Sequence, residues 1–209
     1  MEKWFEQDKN YILKQAQYNY RDAGVNDMVK IAVESYWADG PTGVSINEIS
    51  RRAGVSKPGI YREFGNEDGL KQAALIAYQA TILAPLVDVL TDDVPFGQAL
   101  QALTDFVLLD HKAHGLPDGC LQVTMCRSKD DLGMLARKSA DKFREQTLCG
   151  LEQWIERAKS KGQFASNIPS RTAALYIDAQ IASAMELQKQ GAAQDELEHV
   201  FKLALSVFS

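Results

Sequence analysis

The stretch from Val44 to Leu70, VSINEISRRAGVSKPGIYREFGNEDGL, constrains the fold more than any other part of the chain. Ser45 is a good helix N-cap, because its hydroxyl can accept from a backbone N–H that has no partner inside the helix. Glu48, three residues on, is placed to reach back and complete a capping box. Ile46, Ile49 and Ala53 then share one face at helical spacing. Gly54 stands where that helix must stop, since glycine enters the left-handed region cheaply. Ser56 is the next N-cap, and Pro58 lies in the first turn, where its missing N–H costs nothing. Ile60 and Phe64 turn back toward the first helix, leaving Lys57, Gly59, Tyr61, Arg62 and Glu63 outside. Asn66 starts the helix that follows. Two short capped helices on a glycine turn make a helix-turn-helix, whose second helix can enter a DNA major groove.

The pattern Ile46-x-x-Ile49-Ser50-x-x-Ala53-Gly54-Val55-Ser56-Lys57-x-x-x-Tyr61-x-x-Phe64 resembles the DNA-binding domain of the TetR family of bacterial transcriptional regulators. The resemblance runs from Asn26 to Tyr78; beyond it only length and helical character match. It implies an all-α chain with a three-helix helix-turn-helix domain at 25–72 and a helical effector-binding and dimerisation domain at 73–209. Residues 1–24 form a leader. The resemblance also implies a double-stranded DNA operator, an unidentified small-molecule effector, and a homodimer formed through the last two helices. Lys57, Gly59 and Arg62 are then placed for base edges or phosphates, and Ser45, Ser56 and Tyr61 for phosphates, with Pro58 in the same turn. One position departs from the family. A phosphate-binding lysine is common three residues after the Phe, and this chain has Glu67 there, followed by Asp68. Both acids suit a helix N-terminus, but neither pairs with phosphate, which would shift that contact to Lys71, Arg62 or Tyr61.

Charge is consistent with a local reading surface rather than a basic protein. The 209 residues carry a net charge of −5, yet Arg51, Arg52, Lys57 and Arg62 fall in one short acid-free run, and distribution matters more than the total. Three cysteines without paired spacing do not make a disulfide framework. No apolar run approaches the ~18 residues of a membrane span, and the N-terminus is too polar for a signal peptide, so the expectation is a cytoplasmic protein with no membrane partner.

In the leader, Trp4, Tyr11 and Tyr18 suggest either loose packing or an arm toward DNA, and Arg21 is placed for a phosphate. Asn26 can cap a helix from Asp27 to Ala38 with Val29, Ala32, Val33, Tyr36 and Trp37 on its apolar face. A linking helix follows from Asn66 to Leu90, with Pro85 as a kink or break. Five further helices are expected over Pro95–Ala113, Cys120–Ser128, Asp131–Lys161, Ser170–Gln190 and Gln194–Phe208, separated at Pro117-Asp118-Gly119, Gly162 and Gly191. The last two carry Leu175, Ile181, Ala182 and Met185, then Val200, Phe201, Leu203, Ala204, Val207 and Phe208. So broad an apolar face suits a two-helix share of a dimer interface, or a core of its own.

For an effector pocket the candidates are Phe106, Leu109, Met125, Phe143 and Trp154, although aromatics at helical spacing also serve as plain core. His111 and His114 lack a third clustered ligand, which argues against a metal, and they read as exposed loop-end histidines. Cys120 opens a helix, where a thiolate gains from the dipole, with Arg127 and Lys129 as added positive charge. It is the candidate redox residue, against the plainer reading of a buried space-filler. Cys149 reads as core. There is no phosphate loop, nucleophile elbow or metal spacing, so neither catalysis nor a cofactor is expected. The expected function is a ligand-responsive transcriptional regulator, most simply a repressor released by a small molecule or by cysteine modification. The alternative is a helical small-molecule-binding protein of the same fold that no longer binds DNA.

Overall fold

The computed structural model describes residues 27–91, 93–165 and 167–208, all helix and connecting turns, with no strand among them. The leader, Arg21 and the Asn26 cap lie outside the described residues. Helix α1 (Asp27–Asp39) buries Met28, Val29, Ala32, Val33, Tyr36 and Trp37, pairs recurring once per turn that make one apolar stripe. Helix α2 (Ile46–Ala53) sits against it, α4 (Glu67–Tyr78) packs along it, and α3 (Lys57–Phe64) packs between α2 and α4. The body adds α5 (Ala84–Thr91), α6 (Phe96–Val107), α7 (Leu121–Arg127), α8 (Met134–Ser160), α9 (Ser170–Lys189) and α10 (Gln194–Leu205).

Several boundaries differ from the sequence expectation. The helix at Phe96 ends at Val107, and the run toward Ala113 becomes a 3-10 turn at Lys112–His114. Helix α8 starts at Met134, after a 3-10 turn at Lys129–Asp131. The last helix passes into a 3-10 turn at Ser206–Phe208. Pro85 does not break the chain. A π turn at Gln79–Leu83 joins α4 to α5 just before it, with Ala84 N–H bonded to the Gln79 carbonyl at the wider π spacing.

That continuous path, Glu67–Thr91, also corrects the membrane argument. An 18-residue stretch within its 25 residues reaches a mean hydropathy of 1.7, enough in length and composition to span a bilayer. It is packed against α1 on one side and α8 on another, and it carries the Lys71–Glu67 ion pair. Its apolar character therefore has partners within the fold.

One core cluster extends from Met28 in α1 to Leu205 in α10. The first three helices and the body thus share buried surface. Polar links reinforce the junction. Trp37 Nε1 donates to the Gly119 carbonyl at 2.9 Å, and Lys189 Nζ reaches the Trp37 carbonyl at 3.2 Å and Thr124 Oγ1 at 3.3 Å.

Candidate nucleic-acid interface

The caps that define the two reading helices form as their sequence dictates. Ser45 Oγ accepts from Glu48 N at 3.2 Å, and Ser56 Oγ accepts from Gly59 N at 3.2 Å. Gly54 takes φ 64°, ψ 21° and ends α2 with its own N–H bonded back to the helix. Ile49 and Ile60 are fully buried and lock α2 to α3, with Phe64 packed beside them. The outer surface of α3 presents Lys57, Pro58, Gly59, Tyr61 and Arg62, with Ser45 and Ser56 exposed at the two N-termini.

The capping box is only half made. Glu48 turns its carboxylate toward Arg51 Nε and Nη2 at 2.8 and 2.7 Å and toward Arg52 Nε at 2.8 Å. Two guanidinium partners outcompete one backbone N–H, and these hydrogen bonds, Arg51's first, pull the Glu48 carboxyl down to about 2. Arg52 also reaches Ser35 and Asp39. The four-cation run is therefore not four free charges. Arg62 has no ion pair with any described residue, and Lys57 lies 5.5 Å from the Tyr61 ring centroid. The positive potential offered to a partner concentrates on α3, at Lys57 and Arg62.

Lys71 does not take over a phosphate contact. It is 8% exposed, pairs with Glu67 at 3.1 Å, and sits over the Tyr36 ring. Glu67 is thereby partnered within the fold. Asp68 has a separate task. Its carboxylate accepts from Leu135 N at 2.7 Å and Ala136 N at 3.2 Å, which caps the first turn of the 27-residue helix α8. The N-cap residue of α8 is Gly133, whose missing side chain offers no cap. A Cβ at Gly133 would lie 2.4–2.7 Å from the Asp68 carboxylate atoms, so glycine is what lets the acid approach. Beside it Gln72 donates to Ser139 Oγ at 3.0 Å. Sequence reasoning missed this staple, because its partners lie 67 residues apart.

The five effector candidates are spread over α6, the turn after it, α7 and α8. Phe106, Leu109, Met125 and Trp154 are buried and Phe143 is half-buried, each within the core. Trp154 stacks on Phe96 at 4.7 Å. It lies eleven residues beyond Phe143 on the same helix, about 16 Å along the axis. An open groove of about 500 Å³ lies elsewhere on α8, lined by Cys149, Glu152, Gln153, Glu156 and Arg157. Cys149 is thus a groove residue, bonded to Glu145, rather than core.

Cys120 does stand at the start of α7, but in a setting unlike the one that favours a thiolate. It is buried and accepts from Tyr78 OH at 3.4 Å, and burial pushes its thiol pKa up. Arg127 pairs with Glu186 and Lys129 with Asp141, so their charges are engaged. Cys126 is likewise pushed up by burial, to about 11. His111 is buried, not exposed: its Nδ1 lies 2.8 Å from the Pro117 carbonyl, and its ring stands edge-on to Trp37 at 5.6 Å. Burial lowers its pKa.

A capped helix-turn-helix with exposed cationic side chains on its second helix, carried on an all-α body, defines a DNA-reading class of protein. Residues 29–74 match the family model of bacterial regulatory proteins of the tetR family. The match covers the helix-turn-helix domain and the start of the linking helix. The HTH-type transcriptional repressor BdcR of Escherichia coli (strain K12) is 31% identical over 87 residues, 42% of this chain. The match spans only 44% of BdcR's own length. Among solved structures, the reduced form of E. coli NemR superposes with a TM-score of 0.76 at 20% identity, covering 88% of this chain and 95% of that one. A cysteine-substituted CifR complexed with 26-bp double-strand operator DNA gives 0.72 at 18% identity, covering 88% and 95%. At such identities these structures establish a shared fold.

Proposed function

We propose that the chain is a homodimeric transcriptional repressor of the cytoplasm that reads a palindromic operator with α3 and is released when an effector binds its helical body. The observation that carries the reading is the surface of α3. Lys57, Tyr61 and Arg62 are exposed or half-exposed on a helix whose N-terminus, with that of α2, is capped and open. Helix N-termini and hydroxyls position a protein on phosphates, and an unpaired guanidinium can fork onto a guanine edge. BdcR is a repressor, and CifR has been seen on operator DNA. Two-fold DNA reading needs two copies. Leu175, Val200, Leu203 and Val207 remain 43%, 49%, 74% and 58% exposed on the last helices, a suitable face for a second copy.

The test is fluorescence anisotropy on selected operator fragments, with sedimentation measured in parallel. A dimer binding with a steep loss of affinity between low and moderate salt is expected. A monomer that binds no DNA at low salt would favour the small-molecule-binding alternative.

A second reading adds control through Cys120. Its sulfur is bonded to Tyr78, whose ring stands edge-on to Trp37 of α1 at 4.9 Å, so a bulky adduct there would press on the reading domain. NemR is described in a reduced form and CifR with cysteines substituted. Operator release by an electrophile that survives Cys120→Ser would exclude this route.

A further inference from the structure

The chain between α6 and α7, residues 108–120, is pinned at both ends by the carboxyl end of α9. Gln188 is buried there. Its Nε2 donates to the Leu109 carbonyl at 2.6 Å, and its Oε1 accepts from Gly119 N at 2.9 Å. One side-chain amide thus holds both ends of the loop against the helix. The His111 ring closes the loop from within, its Nδ1 2.8 Å from the Pro117 carbonyl. Gly119 has φ 80°, a conformation that favours glycine. A Cβ there would stand 3.0 Å from the Met185 carbonyl oxygen and 3.3 Å from Lys189 Cβ, so the missing side chain also lets the loop lie on α9.

The reading head is fastened at the same place. Trp37, in the last turn of α1, donates Nε1 to the Gly119 carbonyl at 2.9 Å. Lys189, next to Gln188 on α9, reaches the Trp37 carbonyl at 3.2 Å and Thr124 Oγ1 at 3.3 Å. Carbonyls in the last turn of a helix have no partner within it, and a cation suits the negative end of the helix dipole. Lys189 therefore caps α1 from 152 residues away. The fastening continues to the reading surface. Arg52 of α2 donates to Ser35 Oγ at 3.1 Å and pairs with Asp39, both toward the end of α1, and buried Ile49 and Ile60 join α2 to α3.

The same helix carries the dimer face. Leu175 is exposed near the start of α9, and Gln188 and Lys189 stand at its end. From Leu175 to Lys189 is about 21 Å along the axis at 1.5 Å per residue. The linking helix α4, packed along α1, is a first attachment of the head to the body. One packed helix leaves an axis about which the head can pivot; a second attachment at the end of α1 removes that freedom. We propose that Gln188 and Lys189 are positioning residues for operator reading: the carboxyl end of α9 holds each reading head at a fixed offset from the dimer face, and so sets the half-site spacing that the dimer accepts. The inference rests on the dimeric DNA-reading function above.

The experiment uses the full chain and duplexes that wild type selects from a randomised library. The selected palindrome is rebuilt with its centre shortened or lengthened by one and two base pairs, and as a lone half-site. Each added base pair moves a half-site by about 3.4 Å and turns it by about a tenth of a helical turn. Anisotropy is read for wild type, Gln188→Met, Lys189→Met and Trp37→Phe, with sedimentation and thermal melting on the same samples. Lys189→Met and Trp37→Phe remove a donor and keep most of the side chain, so they serve if Gln188→Met does not fold. Wild type should favour one spacing over its neighbours by about tenfold or more. In the folded, dimeric variants that preference should fall to about threefold or less, with lone half-site affinity within about twofold of wild type. Variants that keep the wild-type spacing preference, or that lose half-site and palindrome affinity alike, would overturn the proposal. A wild type that selects a palindrome yet accepts every spacing would overturn it and leave the DNA-reading function standing; no selected duplex at all would overturn both.

Discussion

The Asp68–Gly133 staple makes a prediction that can be worked in some detail. Asp68 supplies across 67 residues the cap that α8 lacks from its own N-cap glycine. Losing an N-cap side chain typically costs about 0.5–2 kcal/mol, and losing a carboxylate from a helix N-terminus a further ~0.3–1 kcal/mol. Asp68→Ala should therefore destabilise the fold by about 1–3 kcal/mol, some 2–4 °C in melting temperature for each kcal/mol at this chain length. Gly133→Ala should do nearly the same without touching the acid, because the new Cβ would stand 2.4–2.7 Å from the carboxylate atoms and push them off the helix end. The Gly133 backbone, φ −71°, ψ 177°, suits alanine, so no strain is added. In the double variant the clash has no object, and alanine at 133 should be neutral or mildly stabilising through the unfolded chain. The assay is urea unfolding of the four proteins in a double-mutant cycle, with an expected coupling of about 1–3 kcal/mol. Strict additivity, or a harmless Gly133→Ala in the wild-type background, would refute the staple. Operator affinity in the two single variants should fall together, since both loosen the same end of the linking helix.

Three further outcomes follow from the geometry. Leu203→Glu, at the most exposed apolar position of α10, should give a monomer by sedimentation with unchanged helicity and no operator binding at concentrations where wild type binds; a retained dimer would move the interface elsewhere. His111 is held neutral by burial, so the unfolded chain binds the extra proton first, and stability should fall as pH drops below the ordinary value near 6.5 toward the lowered folded value. His111→Phe should flatten that part of the unfolding-versus-pH curve between pH 7 and 5, and an unchanged slope would contradict it. Iodoacetamide should label Cys149 well before Cys120 in the native protein, because Cys120 is buried and its thiol is pushed toward the protonated form; equal rates would show that its burial is not maintained.

The local parts of this fold are legible in the sequence, because their determinants lie within four residues of one another. Ser45, Gly54, Ser56 and Asn66 announce their helix ends, and each makes its expected bond or dihedral. Glu48 shows where such reasoning stops. It has two competing uses within one helical turn, and only the geometry shows that Arg51 and Arg52 take it. Lys71 reads as a substitute phosphate contact and Glu67 as a helix-dipole acid, because the Tyr36 ring beneath Lys71 lies 35 positions away in the sequence. Asp68 reads as a helix-dipole residue and serves the dipole of a different helix. The effector candidates named from aromatic spacing lie buried or half-buried in the helical body, a placement that spacing alone does not decide. Burial at Cys120 and His111 follows from Trp37 and Tyr78 reaching across the junction, a contact that no sequence window contains.

The central claim is that α3 reads DNA through Arg62 and Tyr61. The most direct measurement is selection of genomic fragments by the purified full chain, repeated with Arg62→Ala and Tyr61→Ala. The account predicts enrichment of a palindrome by wild type. Arg62→Ala should lose about 1–3 kcal/mol and accept other bases at one position of each half-site. Tyr61→Ala should weaken all sequences alike, as loss of a phosphate contact does. No enriched sequence at low salt, or one that both variants enrich equally well, would contradict it.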